Sequence, residues 1–243
     1  MTKKTMTWDE HYQLWSEARK RPGPDAHLRM QEARKRVGKN NPDDWLWLKE
    51  SLSDSERKRF VGEVFKFQPV AKRLFASMLY AGVMERDPSR NRAFIDPCVR
   101  SFGARRVLEE LLRFLCSGTD IEKAGAASAF LWAWGGGNPR NEEVDDLIRR
   151  FRFQMLREFV TNDDLQVRRR IIPLMSLKPE DYPEEFRLLV AIATKIACSH
   201  PDEFIRHCFE VQFGAGGPFM PIPDTRSGNT DQGVSTDEDN SCR

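Results

Sequence analysis

Arginine is the residue type with the clearest chemical potential in this chain, which has 27 arginines against 12 lysines. The planar guanidinium group suits carboxylate and phosphate groups, because it can donate two parallel hydrogen bonds. Arginines cluster on one predicted helical pair: Arg149, Arg150, Arg152, Arg157, Arg168, Arg169 and Arg170. Lining one groove, they would bind an acidic peptide or a phosphate backbone. The alternative is a solvated face, since acidic residues are interspersed from Glu142 to Asp164.

Tryptophans provide a second candidate contact surface, because two of their pairs are spaced two residues apart. Trp45 and Trp47 form one such pair, and Trp132 and Trp134 form the other. Residues two apart cannot share one face of a helix. We therefore predict Trp47 and Trp134 as anchors for a partner, since exposed aromatic side chains are favoured at interfaces. Packing within the protein is the alternative for both residues.

Catalytic and metal-binding patterns are sparse. Two cysteines and two histidines lie within eleven residues: Cys198, His200, His207 and Cys208. Their spacing matches no common zinc pattern. The glycine runs at 135–137 and 214–217 lack the Gly-Lys-Ser/Thr continuation that a phosphate-binding loop requires. The sequence therefore predicts no catalytic residue, no metal and no cofactor.

Helix-capping residues indicate the elements that position these side chains. A residue whose side chain accepts a hydrogen bond from the first helical turn is typical of a helix start. Such starts are predicted at Thr7 with Glu10, Asn41 with Pro42, Ser53 with Glu56, Thr119 with Glu122, and Asn141. Apolar residues recur between these caps at spacings of three and four, and no period-two run suggests a strand. We predict an all-α fold of roughly eleven or twelve helices.

Two prolines are expected to interrupt helices. Pro97 follows Asp96, and a residue before proline avoids the helical region, so a break is predicted there. Pro173 should end or kink the helix that contains Arg168 to Arg170.

An internal repeat covers the second half of the chain. Three segments each end one helix, turn through a short polar stretch with Asp, and open a second helix near a basic residue. The basic residues Lys123, Arg168 and Arg206 are separated by 45 and 38 positions. Helical repeats of about 40–47 residues are typical of HEAT and armadillo proteins.

The segment LREFVTNDDLQVRRRIIPLMSL resembles a unit of the HEAT-repeat family. The resemblance covers residues 103–213 and extends more loosely to 42–102. It implies an α-α superhelix of antiparallel helical pairs, in which Asp163, Asp164 and Arg168 belong to a ladder joining neighbouring repeats. Independently, the small residues of the run 124–129 would let a neighbouring helix pack closely. The Glu-Lys in the first unit and Pro173 depart from the family pattern.

Composition divides the chain into three parts. We predict an N-terminal helical cap at 1–40, a HEAT-like domain at 41–213, and a disordered acidic tail at 214–243 that is rich in Gly, Pro, Ser and Asp. The formal net charge is only +2, which argues against a dedicated nucleic-acid binder. No secretory signal or membrane span is evident, and the cysteine pattern favours reduced thiols, so a cytoplasmic location is expected.

The function predicted from these features is a non-enzymatic scaffold that binds a partner protein or acidic peptide on a solenoid surface. The alternative is a DNA-binding protein, because the family resemblance includes HEAT-like glycosylases that excise alkylated bases. No tryptophan, aspartate and arginine set of such enzymes can be placed in this sequence. An adaptor in a lyase or kinase regulatory complex is a third possibility, which the sequence does not separate from the first.

Overall fold

Polar caps set most helix starts in the computed structural model, which describes residues 6–134 and 141–213. Thr7 and Glu10 form a capping box, in which the Glu10 amide donates to the Thr7 hydroxyl at 3.2 Å. Asn41 and Asn141 each accept a hydrogen bond from the amide three residues later, at 2.9 Å. Thr119 caps its helix with a longer bond of 3.4 Å. These four predicted starts are confirmed.

Twelve α-helices span the described residues, none of which lies in a β-strand. In chain order they are α1 Trp8–Arg19, α2 Asp25–Arg34, α3 Pro42–Ser51, α4 Arg57–Phe65, α5 Phe75–Val83, α6 Arg92–Phe102, α7 Ala104–Ser117, α8 Asp120–Trp134, α9 Glu142–Thr161, α10 Leu165–Ile171, α11 Arg187–Cys198 and α12 Glu203–Phe213. Short 3-10 turns lie at Lys72–Leu74, Ile172–Leu174, Pro179–Asp181 and Glu184–Phe186. The all-α prediction and the expected number of helices are confirmed. The predicted tail at 214–243 and the glycine run at 135–137 lie outside the described residues.

The start of α4 differs from the prediction. Instead of a capping box between Ser53 and Glu56, the Asp54 carboxylate accepts hydrogen bonds from the amides of Glu56 and Arg57, at 3.0 and 2.8 Å. The helix therefore begins at Arg57 rather than directly after Ser53. A charged carboxylate is a stronger acceptor than a hydroxyl, which explains the choice between two adjacent candidates.

The two prolines behave differently. Helix α10 ends at Ile171 and a 3-10 turn carries Pro173, as predicted. The predicted break at Pro97 is wrong, because α6 continues through this residue. Proline frees the carbonyl group four residues earlier, here that of Ala93. Both Ala93 and Pro97 line an open cleft, where water can hydrogen-bond to the freed carbonyl.

Consecutive helices pack as pairs, from α1–α2 to α11–α12. The first helices of the last three pairs contact one another in the order α7, α9, α11. The second helices do the same in the order α8, α10, α12. This arrangement places the polar turns of the three repeat units next to each other. None of the helices formed by the described residues has the length and apolar composition of a membrane span.

Helix α8 joins the two halves of the molecule, because it contacts α5 and α6 on one side and α7 and α10 on the other. Gly125 allows the closest of these approaches, since a methyl group added there would overlap the Val83 carbonyl oxygen. The close packing predicted for the small-residue run is therefore confirmed. Phe130 of α8 stacks on Phe151 of α9, with ring centroids 4.3 Å apart. These contacts fix the helices that border the candidate site.

Candidate functional site

A cleft of about 1070 Å³ opens between α4, α6 and the loop that precedes α6. We call it the α4–α6 cleft. Its apolar lining residues are Phe67, Met84, Ala93, Phe94 and Pro97. Its basic lining residues are Lys58, Arg59, Lys66, Arg86, Arg90, Arg92 and Arg100, and its acidic ones are Glu56, Glu63, Glu85 and Asp96. With seven basic and four acidic side chains, the lining carries net positive charge.

Several of the basic side chains are already engaged. Lys58 pairs with Glu85 at 2.9 Å, and both side chains are largely buried. Arg92 pairs with Asp96 at 2.8 Å, one helical turn away. Arg100 donates to the carbonyl groups of residues 65 and 66 at the end of α4, at 3.4 and 2.5 Å. Lys58 thus joins α4 to the loop before α6, and Arg100 joins α6 to the end of α4. The charges of Lys58 and Arg92 are compensated by carboxylates within the protein.

Arg59 is different, because it forms no ion pair and donates no hydrogen bond within residues 6–134 and 141–213. Burial lowers the pKa of its guanidinium group, Arg19 and Arg90 lower it further, and the nearby Glu63 and Glu56 offset only part of this shift. A cation whose neighbours include other cations is held in an environment that favours an anion. Arg59 remains charged at neutral pH, since arginine titrates far above it. The position of Arg59 therefore suits a carboxylate or a phosphate group.

Phe67 lies on the rim of the same cleft with 69% of its surface exposed. The Arg34 guanidinium lies 4.9 Å from the centre of its ring, and the Lys66 ammonium lies 5.6 Å from it. Arg34 is itself fixed, because its Nε and Nη2 atoms donate to the Glu63 carbonyl oxygen at 3.1 and 2.7 Å. The aromatic ring is therefore open to solvent and also held in place by cation–π contacts.

The arginines predicted as a binding set have separate partners on α9 and α10. Arg149 pairs with Asp146, Arg152 and Arg157 lie over the rings of Trp134 and Phe186, Arg168 pairs with Asp163, Arg169 pairs with Asp202, and Arg170 donates to the Arg86 carbonyl. Of the seven, Arg150 alone forms no ion pair, hydrogen bond or cation–π contact among the described residues, and it is exposed. The partners lie in different parts of the molecule. The binding role of this set stays a prediction.

The links between neighbouring pairs use other residues than the resemblance implied. Asp163 pairs with Arg168 inside one turn, at 2.7 Å, and Asp164 caps α10. The turn of α7–α8 is instead joined to that of α9–α10 by Asn162, whose Nδ2 donates to Asp120 at 2.7 Å. The expected ladder positions therefore stabilise their own turn.

Two further contacts join the repeat units. Lys123 of α8 pairs with the buried Glu158 of α9 at 2.8 Å. Arg169 of α10 pairs with Asp202 at the start of α12 at 2.5 Å. Charged residues thus hold the three turns together at their polar ends.

The two tryptophans predicted as anchors are both half-buried. The Trp47 ring lies 6.4 Å from that of Tyr12 and 6.2 Å from that of Phe60. The Trp134 ring lies 6.1 Å from that of Phe130. Each therefore packs on neighbouring aromatic residues with one part open to solvent. Their role as partner anchors stays a prediction.

The cysteine and histidine cluster of the C-terminal pair has a structural contact. The Nδ1 atom of His200 accepts a hydrogen bond from the Asp202 amide at 3.0 Å. Burial lowers the pKa of His200, and Arg168 lowers it further, so the ring is neutral at pH 7. In the part of the chain that the structure describes, no group of three or more His, Cys, Asp or Glu side chains is placed to hold a metal ion.

The α4–α6 cleft was missed at the level of sequence because its basic residues are distributed over two separate segments. The run R-K-R-F at 57–60 and the arginines at 86, 90, 92 and 100 are interrupted by the whole of α5. Neither segment alone is as rich in arginine as α9–α10. No local signal singles out Arg59, because Glu63 lies four residues later on the same helix, at the spacing of an ion-pair partner.

Comparison with protein-family models, with curated proteins and with solved structures finds no match for this chain.

Proposed function

We propose that the protein is a non-enzymatic scaffold, an α-solenoid of the HEAT type, that binds an acidic segment of a partner protein in the α4–α6 cleft. The observation that carries the proposal is Arg59, a cation in the cleft without an ion-pair partner among the described residues. An acidic side chain of a partner would supply that counter-charge. Complementary charge of this kind gives an interaction its specificity and speeds association.

The size and lining of the cleft favour a peptide segment. Its volume of about 1070 Å³ lies at the upper limit of the range of about 300–1,000 Å³ that is typical of small-molecule pockets. A lining of both apolar and charged residues suits a chain segment, which presents both kinds of side chain.

The packing of the helical pairs supports the HEAT-type solenoid. Thr119, Asp164 and Asp202 each cap the second helix of a pair by accepting from a backbone amide three residues later. A basic residue follows each cap by four positions, as Lys123, Arg168 and Arg206. Such stacked repeats form extended surfaces that commonly bind other proteins. Function does not follow from fold alone, so the weight of the proposal rests on the cleft.

The alternative is a DNA-binding protein related to glycosylases that excise alkylated bases. The same cations would face the phosphates, and the exposed Phe67 would offer a surface for a base. However, three carboxylates of the cleft remain beside these cations, in the pairs of Glu63 with Arg34, Glu85 with Lys58, and Asp96 with Arg92. A polyphosphate chain would meet these negative charges as well, which favours a ligand with fewer charges.

The test is the affinity of the full chain for a fluorescein-labelled peptide of six glutamates. We expect Arg59→Gln to weaken binding about tenfold, since a hydrogen bond to a charged group contributes about 1.5–3 kcal/mol. Arg105→Gln is the matched control, because Arg105 is exposed on α7 and pairs with Glu109 and Glu143. We expect that variant to stay within about twofold of the parent.

The affinity of the protein for a DNA duplex of twenty base pairs is measured at the same salt concentration. Duplex binding that is tighter than peptide binding and is lost in the Arg59→Gln variant would favour the DNA-binding alternative. Unchanged peptide affinity in that variant would contradict the proposed site.

A cytoplasmic location belongs to the same proposal. Cys98, Cys116, Cys198 and Cys208 are free thiols, as is usual in a reducing compartment. Burial raises the pKa of the Cys98 thiol to about 12, which keeps this group protonated and unreactive.

A further inference from the structure

We infer that the segment bound in the α4–α6 cleft carries an acidic group and a large apolar side chain about four residues apart. The acidic group contacts Arg59 and the apolar side chain packs on Phe67. This inference rests on the proposed function, since it specifies the acidic segment that the cleft would take.

The distance between the two ends follows from the helix. Arg59 lies in the first turn of α4, and Phe67 follows two residues after its end. The six residue steps from Arg59 to Phe65 rise by about 9 Å along the helix, and the two residues beyond it add at most about 7 Å. An extended peptide covers about 3.3 Å per residue, so it spans this distance in roughly four residues. A ligand that reaches both ends therefore has its two recognised groups at that spacing.

The Arg59 end selects a negative charge. Burial, and after it Arg19 and Arg90, disfavour the charged form of Arg59, and Glu63 and Glu56 offset this only in part. Arg90 pairs with Asp87 at 3.2 Å, but both side chains remain exposed. A carboxylate bound to Arg59 would lower the repulsion among these cations. The first end of the cleft is therefore the place for the acidic group.

The Phe67 end selects an apolar group. The ring is 69% exposed, and Arg34 holds it from below through its contact with the Glu63 carbonyl. The Glu63 carboxylate lies 3.8 Å from the Arg34 guanidinium, so the positive charge of Arg34 is already compensated. A leucine or phenylalanine side chain would bury the open face of the ring.

The lining of the cleft also has apolar members. Met84, Phe94 and Pro97 are among them, and Phe94 and Pro97 are buried. A nucleic-acid strand would bring further phosphates into a cleft that also contains apolar and acidic side chains, whereas a peptide can place small uncharged residues there.

The experiment uses the full chain and a series of blocked fluorescent peptides. Each peptide has three glutamates, a Gly-Ser spacer and one phenylalanine, with spacings of two, four or seven residues between the last glutamate and the phenylalanine. A reference series has alanine in place of phenylalanine. Both chain directions are synthesised, because the cleft itself does not fix the polarity of the peptide.

We expect the phenylalanine to raise affinity about tenfold at a spacing of four and less than threefold at two or seven. The gain should disappear in the Phe67→Ala variant and be partly kept in Phe67→Leu. Phe204→Ala is the matched control, because Phe204 is an exposed phenylalanine of α12. The gain should persist in that variant. Thermal unfolding of all three variants establishes that they remain folded.

The outcomes separate this inference from the proposed function. If the alanine series binds and responds to Arg59→Gln but phenylalanine adds nothing at any spacing, the inference is wrong and the proposed function stands. A gain that survives in Phe67→Ala also contradicts the inference, because the apolar group would then bind elsewhere. If the alanine series does not bind, or is unaffected by Arg59→Gln, both are wrong.

Discussion

The arginine-rich pair α9–α10 and the α4–α6 cleft are both strongly basic, yet their charges are used differently. On α9–α10, Arg168 and Arg169 pair with acids at 2.7 and 2.5 Å, and Arg170 donates to a carbonyl group of the loop before α6. In the cleft, Arg59 has no such partner among the described residues. Arg150 of α9 is likewise without an ion pair or hydrogen bond among the described residues, but Arg59 lines a cleft together with apolar side chains.

The difference shows that the number of like charges in a segment does not measure its capacity to bind an anion. An arginine that is paired with a carboxylate must lose that contact before it can bind another. An arginine beside other cations gains stabilisation from the first anion that arrives. Local density therefore does not identify the candidate site, which follows from the absence of an ion pair at Arg59 in the described part of the chain together with its position in a cleft.

The largest effect is expected from breaking the ion pair of Glu158 and Lys123, which joins α9 to α8 at 2.8 Å. Removing Glu158 tests whether buried ion pairs stabilise the fold. Glu158 is 6% exposed and also accepts a hydrogen bond from Gln154 at 2.9 Å. Glu158→Ala leaves Lys123 without its partner, so we expect a loss of about 3 kcal/mol in the free energy of unfolding, measured with urea. Glu109→Ala is the control, because its pair with Arg105 is exposed, and it should cost less than about 0.5 kcal/mol. Equal losses would show that burial does not distinguish these pairs.

Gly125 tests whether the two regions belong to one folding unit, because α8 contacts α5 on one side and α10 on the other. Gly125→Ala forces a methyl group against the Val83 carbonyl, and we expect about 2 kcal/mol of destabilisation. Tryptophan fluorescence and circular dichroism should report the same urea midpoint. Ser128→Ala, on the same helix, should change stability by less than about 0.5 kcal/mol. Two separate transitions would mean that the cleft and the arginine-rich pair fold independently.

A pH titration separates the electrostatics of folding from those of the cleft. Burial lowers the pKa of His11 from its usual 6.5, and Arg36 lowers it further. The unfolded chain then binds more protons than the folded protein near pH 6, so stability falls as pH decreases from 7.5 to 5.5. We expect this loss of stability to be smaller than the losses caused by Glu158→Ala and Gly125→Ala. It should be reduced in the His11→Gln variant.

Peptide binding should respond less to pH over the same range. The described lining of the cleft contains arginine, lysine, aspartate and glutamate as its titratable groups, and no histidine. Glutamates of the peptide stay mostly ionised at pH 5.5, since their usual pKa is about 4.3. A peptide affinity that falls with the stability would indicate that a histidine contributes to binding.

Arg59→Gln should have the smallest effect on stability. Its charged form is disfavoured in the folded protein, and no ion pair is lost within the described residues. We expect the urea midpoint to stay within the equivalent of about 0.5 kcal/mol of the parent protein. A large destabilisation would mean that Arg59 has a structural role and is not reserved for a ligand.

Local sequence signals predicted the elements well and the site poorly. The caps at Thr7, Asn41, Thr119 and Asn141 were predictable because a cap depends on residues three positions apart. Pro97 was misjudged because helix continuation depends on the water-accessible cleft beside Ala93, which is a tertiary feature. The α4–α6 cleft depends on two segments that α5 separates in sequence. No local pattern reveals that Arg59 lacks an acidic partner, since partners such as Asp202 for Arg169 lie 33 residues away.

The most direct test of the central claim compares two triple variants that remove the same charge. One is Arg59→Gln, Lys66→Gln and Arg86→Gln in the cleft, and the other is Arg149→Gln, Arg150→Gln and Arg157→Gln on α9. All six residues are exposed, so both proteins should stay folded. We predict that the cleft variant binds the peptide of six glutamates at least thirtyfold more weakly, while the α9 variant stays within threefold of the parent. Equal losses in the two variants, or a greater loss in the α9 variant, would contradict the account.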